Sequence, residues 1–200
     1  MTLWFLARAL GMVALLGFTA SVCLGALASS TGRGGRALEQ RAVRQLAHRS
    51  VALVALGALA LHVGLLVLDT HVALSLTSVV VPFTSGFAPF AVGLGTLGVW
   101  AFVATALSGL SRGRLAGSRV SPLVWRTVHG AAYVGWVLSM GHGVLAGTDT
   151  GRAWTTIVYA GCALAVAAAV ALRVLARPRR TTAPTDSVPG HRVLVRGGFR

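Results

Sequence analysis

The chain has 200 residues, of which 55% are hydrophobic and only 11% are charged, well below the ~25% of a typical soluble domain. Its net charge of +14 comes from 18 arginines against four acidic residues. Because these cations fall in short stretches between apolar runs, they argue against a nucleic-acid-binding surface. They indicate a membrane protein surrounded by a lipid bilayer.

Five apolar segments are each long enough to cross a bilayer as an α-helix. They predict an all-α membrane protein, a five-helix transmembrane bundle that crosses the cell membrane several times. The segments run from Leu3 to Ala28, Leu46 to Leu68, Phe90 to Leu110, Leu123 to Ala146, and Ala153 to Leu175.

The first segment has a competing interpretation as a signal peptide, because Ala26-Leu27-Ala28 resembles a cleavage site. The apolar run is longer than the core of an ordinary signal peptide, however. Cleavage would also leave the arginine-rich first loop on the outer face. We therefore expect this segment to be retained as a helix.

The distribution of arginines predicts the orientation of the bundle. Arginines occupy the first loop, the third loop and the C-terminal tail, whereas the second loop has none and the fourth has only Arg152. Cytoplasmic loops are enriched in arginine. The N-terminus is therefore expected outside and the C-terminus in the cytoplasm.

The chain divides into a membrane domain, residues 1–176, and an Arg/Pro-rich cytoplasmic tail, residues 177–200, that is expected to be disordered. The apolar stretch from Leu76 to Phe90 is expected to form an interfacial or re-entrant lid. No internal repeat is evident beyond the two histidine-bearing helices.

Histidines recur at nearly the same spacing on the second and fourth predicted helices. His48 and His62 are 14 residues apart, and His129 and His142 are 13 apart. Each pair spans roughly 20 Å of helix, and both helices run in the same direction, so each level receives one imidazole from each helix. Ionisable side chains within a membrane are costly and often functional. Two facing imidazoles are what a low-spin haem needs, and the pattern predicts two b-type haems, or a single one.

Other interpretations of these histidines stay open. They could be polar hydrogen-bonding residues of a non-redox membrane protein, such as an accessory subunit or a metal transporter. Zinc or copper fits less well, because no Cys, Asp or Glu joins them to complete a tetrahedral shell. Asp69 and His71 could form a separate outer-face metal site or a solvated helix cap.

The helix geometry is demanding for one of the pairs. Thirteen residues place His142 about 140° around an ideal helix from His129. The fourth predicted helix must therefore distort, tilt, or present its two ligands on offset faces. Its glycines make such adjustments feasible.

Three arginines are candidate cofactor-binding residues, because a guanidinium pairs with a haem propionate through forked hydrogen bonds. Arg49 and Arg126 flank the inner level, where they are equally expected as interfacial anchors. Arg8 lies in the outer part of the first predicted helix, where topology does not favour arginine. Arg8 could extend to the outer surface, but we expect it to pair with an outer-haem propionate or with an anionic intermediate there.

These features resemble the ferric reductase-like transmembrane domain family. That family includes the membrane portions of NADPH oxidases and ferric reductases, and the haem subunit of periplasmic methionine sulfoxide reductase systems. The resemblance covers residues 3–175 and rests chiefly on the two histidine spacings. Similar stretches are Leu6-Ala7-Arg8-Ala9, Arg44-Gln45-Leu46, His142-Gly143 and Gly147-Thr148-Asp149-Thr150.

The resemblance implies that His48 and His129 hold an inner haem, that His62 and His142 hold an outer haem, and that Arg8 serves the outer site. It implies transmembrane electron transfer to an outer-face acceptor such as ferric iron or a partner reductase. The histidines would act as ligands, with no acid–base catalytic residue.

Two departures from the family pattern change what the resemblance implies. Leu66 stands where the oxidases have a further histidine, which argues against oxygen reduction to superoxide. The stretch after residue 176 is too short for a flavin–nicotinamide domain. We therefore expect electrons from a separate donor, a soluble flavin-containing protein or a quinol-type molecule.

Overall fold

The computed structural model describes residues 2–28, 35–70, 72, 74–115 and 122–176, and all regular structure in these ranges is helical. The predicted all-α class is therefore confirmed. The predicted tail, residues 177–200, and His71 lie outside the described residues. The helices are α1 (Thr2–Ala28), α2 (Gly35–Leu68), α3 (Leu76–Val80), α4 (Pro89–Leu115), α5 (Pro122–Ala146) and α6 (Ala153–Leu175).

Four helices in the described ranges are long and apolar enough to cross a membrane. They are α1, the Leu38–Leu68 part of α2, the Pro89–Ser111 part of α4, and α6. α5 is also long enough, at 25 residues, but its two histidines lower its apolar character and it is not among the four. These helices are consistent with a multi-pass membrane protein.

The long helices form two antiparallel hairpins. In the first, α1 packs along α2 and brings Ala7 to His62 and Ser21 to His48. In the second, α4 packs along α5 and brings Ala91 to His142. α6 packs against α1. The two histidine-bearing helices, α2 and α5, therefore belong to different hairpins.

Aromatic side chains join the two hairpins near the middle of the long helices. Phe18 of α1 and Phe102 of α4 stack with ring centroids 3.6 Å apart and planes within 5°. Trp136 of α5 is buried, and its Nε1 donates to the Thr19 hydroxyl at 2.9 Å. This aromatic core separates the two ends of the helical bundle.

The two hairpins are related to each other, because the similarity of the histidine-bearing helices α2 and α5 extends to α1 and α4. Each of α1 and α4 precedes and packs along a helix with two histidines. At an offset of 84 residues, Ala7, Gly11, Phe18 and Gly25 recur as Ala91, Gly95, Phe102 and Gly109.

The segment between α2 and α4, predicted as a lid, packs on α4. The Thr96 hydroxyl donates to the Ser78 carbonyl at 2.9 Å, and Trp100 Nε1 donates to the Val80 carbonyl at 3.2 Å. Ser75 caps α3 by accepting from the backbone N–H of Ser78 at 3.1 Å. These bonds hold α3 against the bundle.

Candidate functional site between the two histidine-bearing helices

The four histidines of α2 and α5 meet in two pairs. The ring centroids of His48 and His129 are 6.2 Å apart, and those of His62 and His142 are 6.3 Å apart. The paired ring planes cross at 67° and 75°. The structure thus brings each predicted pair together, with one imidazole from each hairpin, at two levels.

The imidazoles of His62 and His142, called the outer pair after their predicted position and the other two the inner pair, are oriented through Nδ1 by backbone carbonyls of their own hairpins. His62 Nδ1 lies 2.6 Å from the carbonyl oxygen of Ala7, and His142 Nδ1 lies 2.8 Å from that of Ala91. A carbonyl can only accept, so Nδ1 carries the proton and donates it. The lone pair of each neutral ring is therefore on Nε2.

The inner imidazoles are oriented in the same way, with serine hydroxyls added. His48 Nδ1 lies 2.8 Å from the Ser21 carbonyl and 3.0 Å from the Ser21 hydroxyl. His129 Nδ1 lies 3.1 Å from the Ser108 hydroxyl, which donates its own proton to the Thr105 carbonyl at 2.7 Å. That hydroxyl then accepts from His129, which gives this ring the same tautomer.

The Nε2 atoms of three of these rings have no hydrogen bond to the protein in the described ranges. Within the described ranges, Nδ1 is the only ring nitrogen of His48, His62 and His142 that hydrogen-bonds to the protein. In the same ranges every buried side-chain nitrogen or oxygen has a hydrogen-bond partner. Since these Nε2 atoms have none, they are not buried and border open space. Each of these Nε2 atoms has a lone pair that is available to a ligand.

The separation of the paired rings suits two nitrogen ligands of one metal ion. Metal–nitrogen bonds of about 2.0 Å, with about 1.1 Å from each nitrogen to its ring centre, place two centroids about 6 Å apart. A direct imidazole–imidazole hydrogen bond would bring the centroids to about 5 Å. The observed 6.2 and 6.3 Å match the first arrangement.

Each level brings together two imidazoles. No group of three His, Cys, Asp or Glu side chains comes together anywhere in the described part of the chain. Two opposed imidazoles leave a plane between them for a ligand such as a porphyrin, which supplies four further nitrogens. The donor set therefore fits a haem, and a tetrahedral all-protein shell would need further ligands.

α5 is a continuous α-helix from Pro122 to Ala146. Both of its imidazoles nevertheless face their partners on α2, although 13 residues separate them. The two imidazoles are accommodated without a break in the helix. Of the adjustments predicted from the sequence, tilt and offset faces are those that a continuous helix allows.

A cavity of about 610 Å³ opens at the outer pair. His62 and His142 line it together with Arg8, and its other walls are mostly apolar, including Phe18 and Leu66. Its volume lies within the range of about 300–1,000 Å³ that is usual for ligand and cofactor sites. Apolar walls, two imidazoles and a cation fit a b-type haem at this level.

Arg8 has a partner that the sequence analysis did not identify. Its guanidinium forms an ion pair with Asp149 in the loop between α5 and α6, and it lies 5.9 Å from the ring centre of Trp4. Arg152 Nε approaches the same carboxylate at 3.3 Å. Arg8 and Asp149 both line the cavity, so this ion pair forms part of its wall.

The inner level has different neighbours. Trp125 stacks on His129 with centroids 4.9 Å apart and planes 14° apart. Arg49 and Arg126 are exposed, on α2 and α5, next to and three residues before their histidines. Their predicted contact with propionates stays a prediction.

Sequence analysis missed the residues that orient the rings. Ser21 and Ser108 lie within apolar helices and carry no motif, and a carbonyl acceptor has no sequence signal of its own. One signal was present: Ala7 and Ser21 are 14 residues apart, the same separation as His48 and His62. Asp149 appeared only within the stretch Gly147-Thr148-Asp149-Thr150, with no partner assigned to it.

We compared the chain with family models, curated proteins and solved structures, and none of the three comparisons produced a match.

Proposed function

We propose that this protein transfers electrons across a membrane through two b-type haems, as in the ferric reductase-like family. His48 and His129 hold the inner haem, and His62 and His142 hold the outer haem. A separate cytoplasmic flavin-containing or quinol-type donor supplies the electrons. They leave to an outer-face acceptor such as ferric iron or a partner reductase. When bound, each haem supplies a one-electron iron couple.

The observation that carries the proposal is the matched geometry of the two histidine pairs. Their centroid separations, 6.2 and 6.3 Å, are nearly equal at two levels about 21 Å apart along α2. Each ring is also held through Nδ1 by an oxygen of its own hairpin, as metal-bound histidines usually are. Histidines that bridged α2 and α5 directly would hydrogen-bond to each other, with ring centroids about 5 Å apart.

The space between the two levels favours electron transfer over ion movement. It contains the stacked pair Phe18 and Phe102 and the buried Trp136. The Thr19 hydroxyl nearby donates to the Leu15 carbonyl at 2.8 Å and accepts from Trp136. An ion or proton relay would need polar groups that are free to exchange partners.

In this proposal α5 is a fifth membrane span, since its histidines lie level with those of α2. The N-terminal part of α2 carries Arg36, Arg41 and Arg44, which favours a cytoplasmic location for that end. The N-terminus is then outside and the C-terminus cytoplasmic. His48 and His129 are on the side of the soluble donor.

The arginines have supporting roles. Arg8 balances negative charge at the outer site, either a haem propionate or a bound anion, and Asp149 fixes its position. Arg49 and Arg126 are the corresponding candidates for the inner propionates. Guanidinium groups near a haem tune its potential through their fixed charge.

Electron transfer across a sealed membrane tests the proposal. The full-length protein is reconstituted into vesicles that contain ferricyanide, and dithionite is added outside. We expect reduction of the trapped ferricyanide, its loss in His62→Ala, and no change in His191→Ala, a histidine outside both pairs. A folded, helical protein without a Soret band, or trapped ferricyanide that stays oxidised, contradicts the proposal and favours an accessory protein or transporter.

A further inference from the structure

Each of the four paired histidines lies against a glycine of the neighbouring helix in its own hairpin. On α1, Gly11 faces His62 and Gly25 faces His48. On α4, Gly95 faces His142 and Gly109 faces His129. The two glycines of each helix are 14 residues apart, so both hairpins repeat the same arrangement at both levels.

The space at these glycines is tight at the outer level and looser at the inner level. A Cβ at Gly95 would lie 2.8 Å from His142 Nδ1, and one at Gly11 would lie 3.0 Å from His62 Nδ1. At Gly25 the nearest His48 atom would be 3.3 Å away, and at Gly109 the nearest His129 atom would be 3.5 Å away. Only the last distance is an ordinary van der Waals contact.

Helix geometry explains why glycine is needed at these positions. A helical Cα–Cβ bond tilts toward the N-terminus, so the side chain of residue i+4 lies over the carbonyl of residue i. Gly11 follows Ala7 by four residues, and Gly95 follows Ala91 by four. With no side chain there, the carbonyl keeps its second lone pair open to the imidazole of the next helix.

At the inner level a glycine again follows the acceptor's turn by four residues, but at one of the two histidines a hydroxyl replaces the carbonyl as acceptor. Gly25 follows Ser21 by four residues, and the Ser21 carbonyl accepts from His48. Gly109 follows Thr105 by four, but there the Ser108 hydroxyl stands between the Thr105 carbonyl and His129. Because the hydroxyl lies between them, the imidazole of His129 need not come as close to the helix backbone. This agrees with the wider space at Gly109.

We propose that Gly11 and Gly95 are positioning residues that fix the ring orientation of the outer haem ligands, and that the outer pair is held more rigidly than the inner pair. The inference rests on the proposed function, because it concerns the imidazoles as ligands. A methyl group at either position pushes the ring edge away from its carbonyl. The imidazole ring then rotates, and the hydrogen bond from its Nδ1–H to the carbonyl weakens.

The chain offers controls that separate this role from simple packing. Gly57 and Gly64, on α2 itself, have open space where a Cβ would be. Gly17 packs closely on another residue, since a Cβ there would lie 2.8 Å from Ala55 Cβ, and it touches no histidine. Gly17→Ala therefore reports disturbed helix packing, and Gly57→Ala reports a harmless methyl group.

The experiment uses electron paramagnetic resonance of the oxidised, haem-loaded full-length protein, with haem affinity as a second measurement. Crossed imidazole planes give strongly anisotropic low-spin signals, and the anisotropy changes when a ring turns. We expect Gly95→Ala and Gly11→Ala to shift one of two such signals and to weaken haem binding at that level about 10- to 100-fold. Gly25→Ala should have a smaller effect on the other signal, and Gly109→Ala, Gly57→Ala and Gly17→Ala should leave both signals in place.

Other outcomes overturn the inference in distinguishable ways. If Gly11→Ala and Gly95→Ala leave the signals unchanged, or if Gly17→Ala shifts them equally, the glycines only pack helices and the proposed function stands. If Gly95→Ala does not fold, Gly11→Ala decides, since its contact is less severe. A wild-type protein without haem removes the proposed function and the inference together.

Discussion

At the scale of single residues, the two levels differ in the acceptors that hold their imidazoles. The outer rings and His48 donate to backbone carbonyls, whereas His129 donates to the Ser108 hydroxyl. A peptide carbonyl oxygen is a stronger hydrogen-bond acceptor than an alcohol oxygen. The two proposed haems therefore have unequal surroundings, which is one way in which a protein separates two potentials.

The Ser108 hydroxyl offers a direct test of this difference. Ser108→Ala removes the hydrogen bond to His129 at 3.1 Å, so we expect about tenfold weaker haem binding at the inner level only. Ser111→Ala is the control, because the Ser111 hydroxyl donates one turn further along α4, to the Ser108 carbonyl at 3.2 Å. Haem titration of the two variants is the measurement. Equal affinities in both would show that the hydroxyl does not orient His129.

The ion pair of Arg8 with Asp149 predicts unequal effects of two arginine substitutions on stability. The Arg8 side chain is 26% exposed, whereas Arg152, which meets the same carboxylate, is 71% exposed. We expect Arg8→Gln to destabilise the protein by about 1–3 kcal/mol, because it leaves a part-buried carboxylate with weaker partners. Arg152→Gln should cost about 0–1 kcal/mol. Thermal unfolding in detergent compares them, and a larger loss in Arg152→Gln contradicts the assignment.

At the scale of helices, length and hydropathy give different answers for α2 and α5. α2 has 34 residues, about 51 Å of helix, which exceeds a hydrocarbon core of about 30 Å. Its N-terminal turns therefore extend beyond the span. The two histidines of α5 face those of α2. They also lower the mean hydropathy of α5, which is not among the four candidate spans. In α5, the fifth span of the proposal, the site histidines thus weaken the hydropathy signal by which a membrane helix is identified.

The lid segment gives a prediction at this scale. Thr96→Val combined with Trp100→Phe removes two side-chain hydrogen bonds that hold α3, at 2.9 and 3.2 Å. Losing them costs about 1–2 kcal/mol, so backbone amides of Leu76–Val80 should exchange with solvent about 5–30 times faster. Hydrogen exchange followed by mass spectrometry measures this. Thr127→Val, an exposed threonine of α5 bonded within its own helix, should leave that exchange unchanged. Unaltered exchange in the double variant would mean that apolar contacts alone hold the lid.

At the scale of the whole molecule, the arginine distribution predicts a topology that labelling can test. Cys23 and Cys162 are free thiols, so both can be replaced by alanine before single cysteines are introduced. We expect Thr148→Cys to react with a membrane-impermeant maleimide on intact cells. Gln40→Cys should react only after the membrane is permeabilised. The reverse pattern would place the proposed inner haem on the outside.

Much of the fold could be predicted from the sequence. The length of an apolar run predicts whether it can span a bilayer, and the positions of arginines predict the orientation of the helices. The all-helical class is confirmed, and the four helices with spanning character correspond to predicted segments. The pairing of histidines by level also follows from spacing and helix direction. Nothing in the sequence fixes how far apart α2 and α5 lie, and only the structure gives that separation.

The parts that sequence did not predict depend on contacts between helices. In the sequence Gly95 is one of several glycines of an apolar segment, and its position against His142 becomes visible only in the packed hairpin. The pairing of Arg8 with Asp149 joins residues 141 positions apart, so no local pattern contains it. The repeat between α1 and α4 was present in the sequence, but most of its matches are small apolar residues that are common in any membrane helix.

Haem stoichiometry is the measurement that tests the central claim most directly. The reduced pyridine haemochrome of the purified full-length protein should give two b-type haems per chain. The double variant His62→Ala/His142→Ala should give one, and so should His48→Ala/His129→Ala. A wild-type protein without haem would contradict the account, and so would a wild-type value of two that neither double variant lowers.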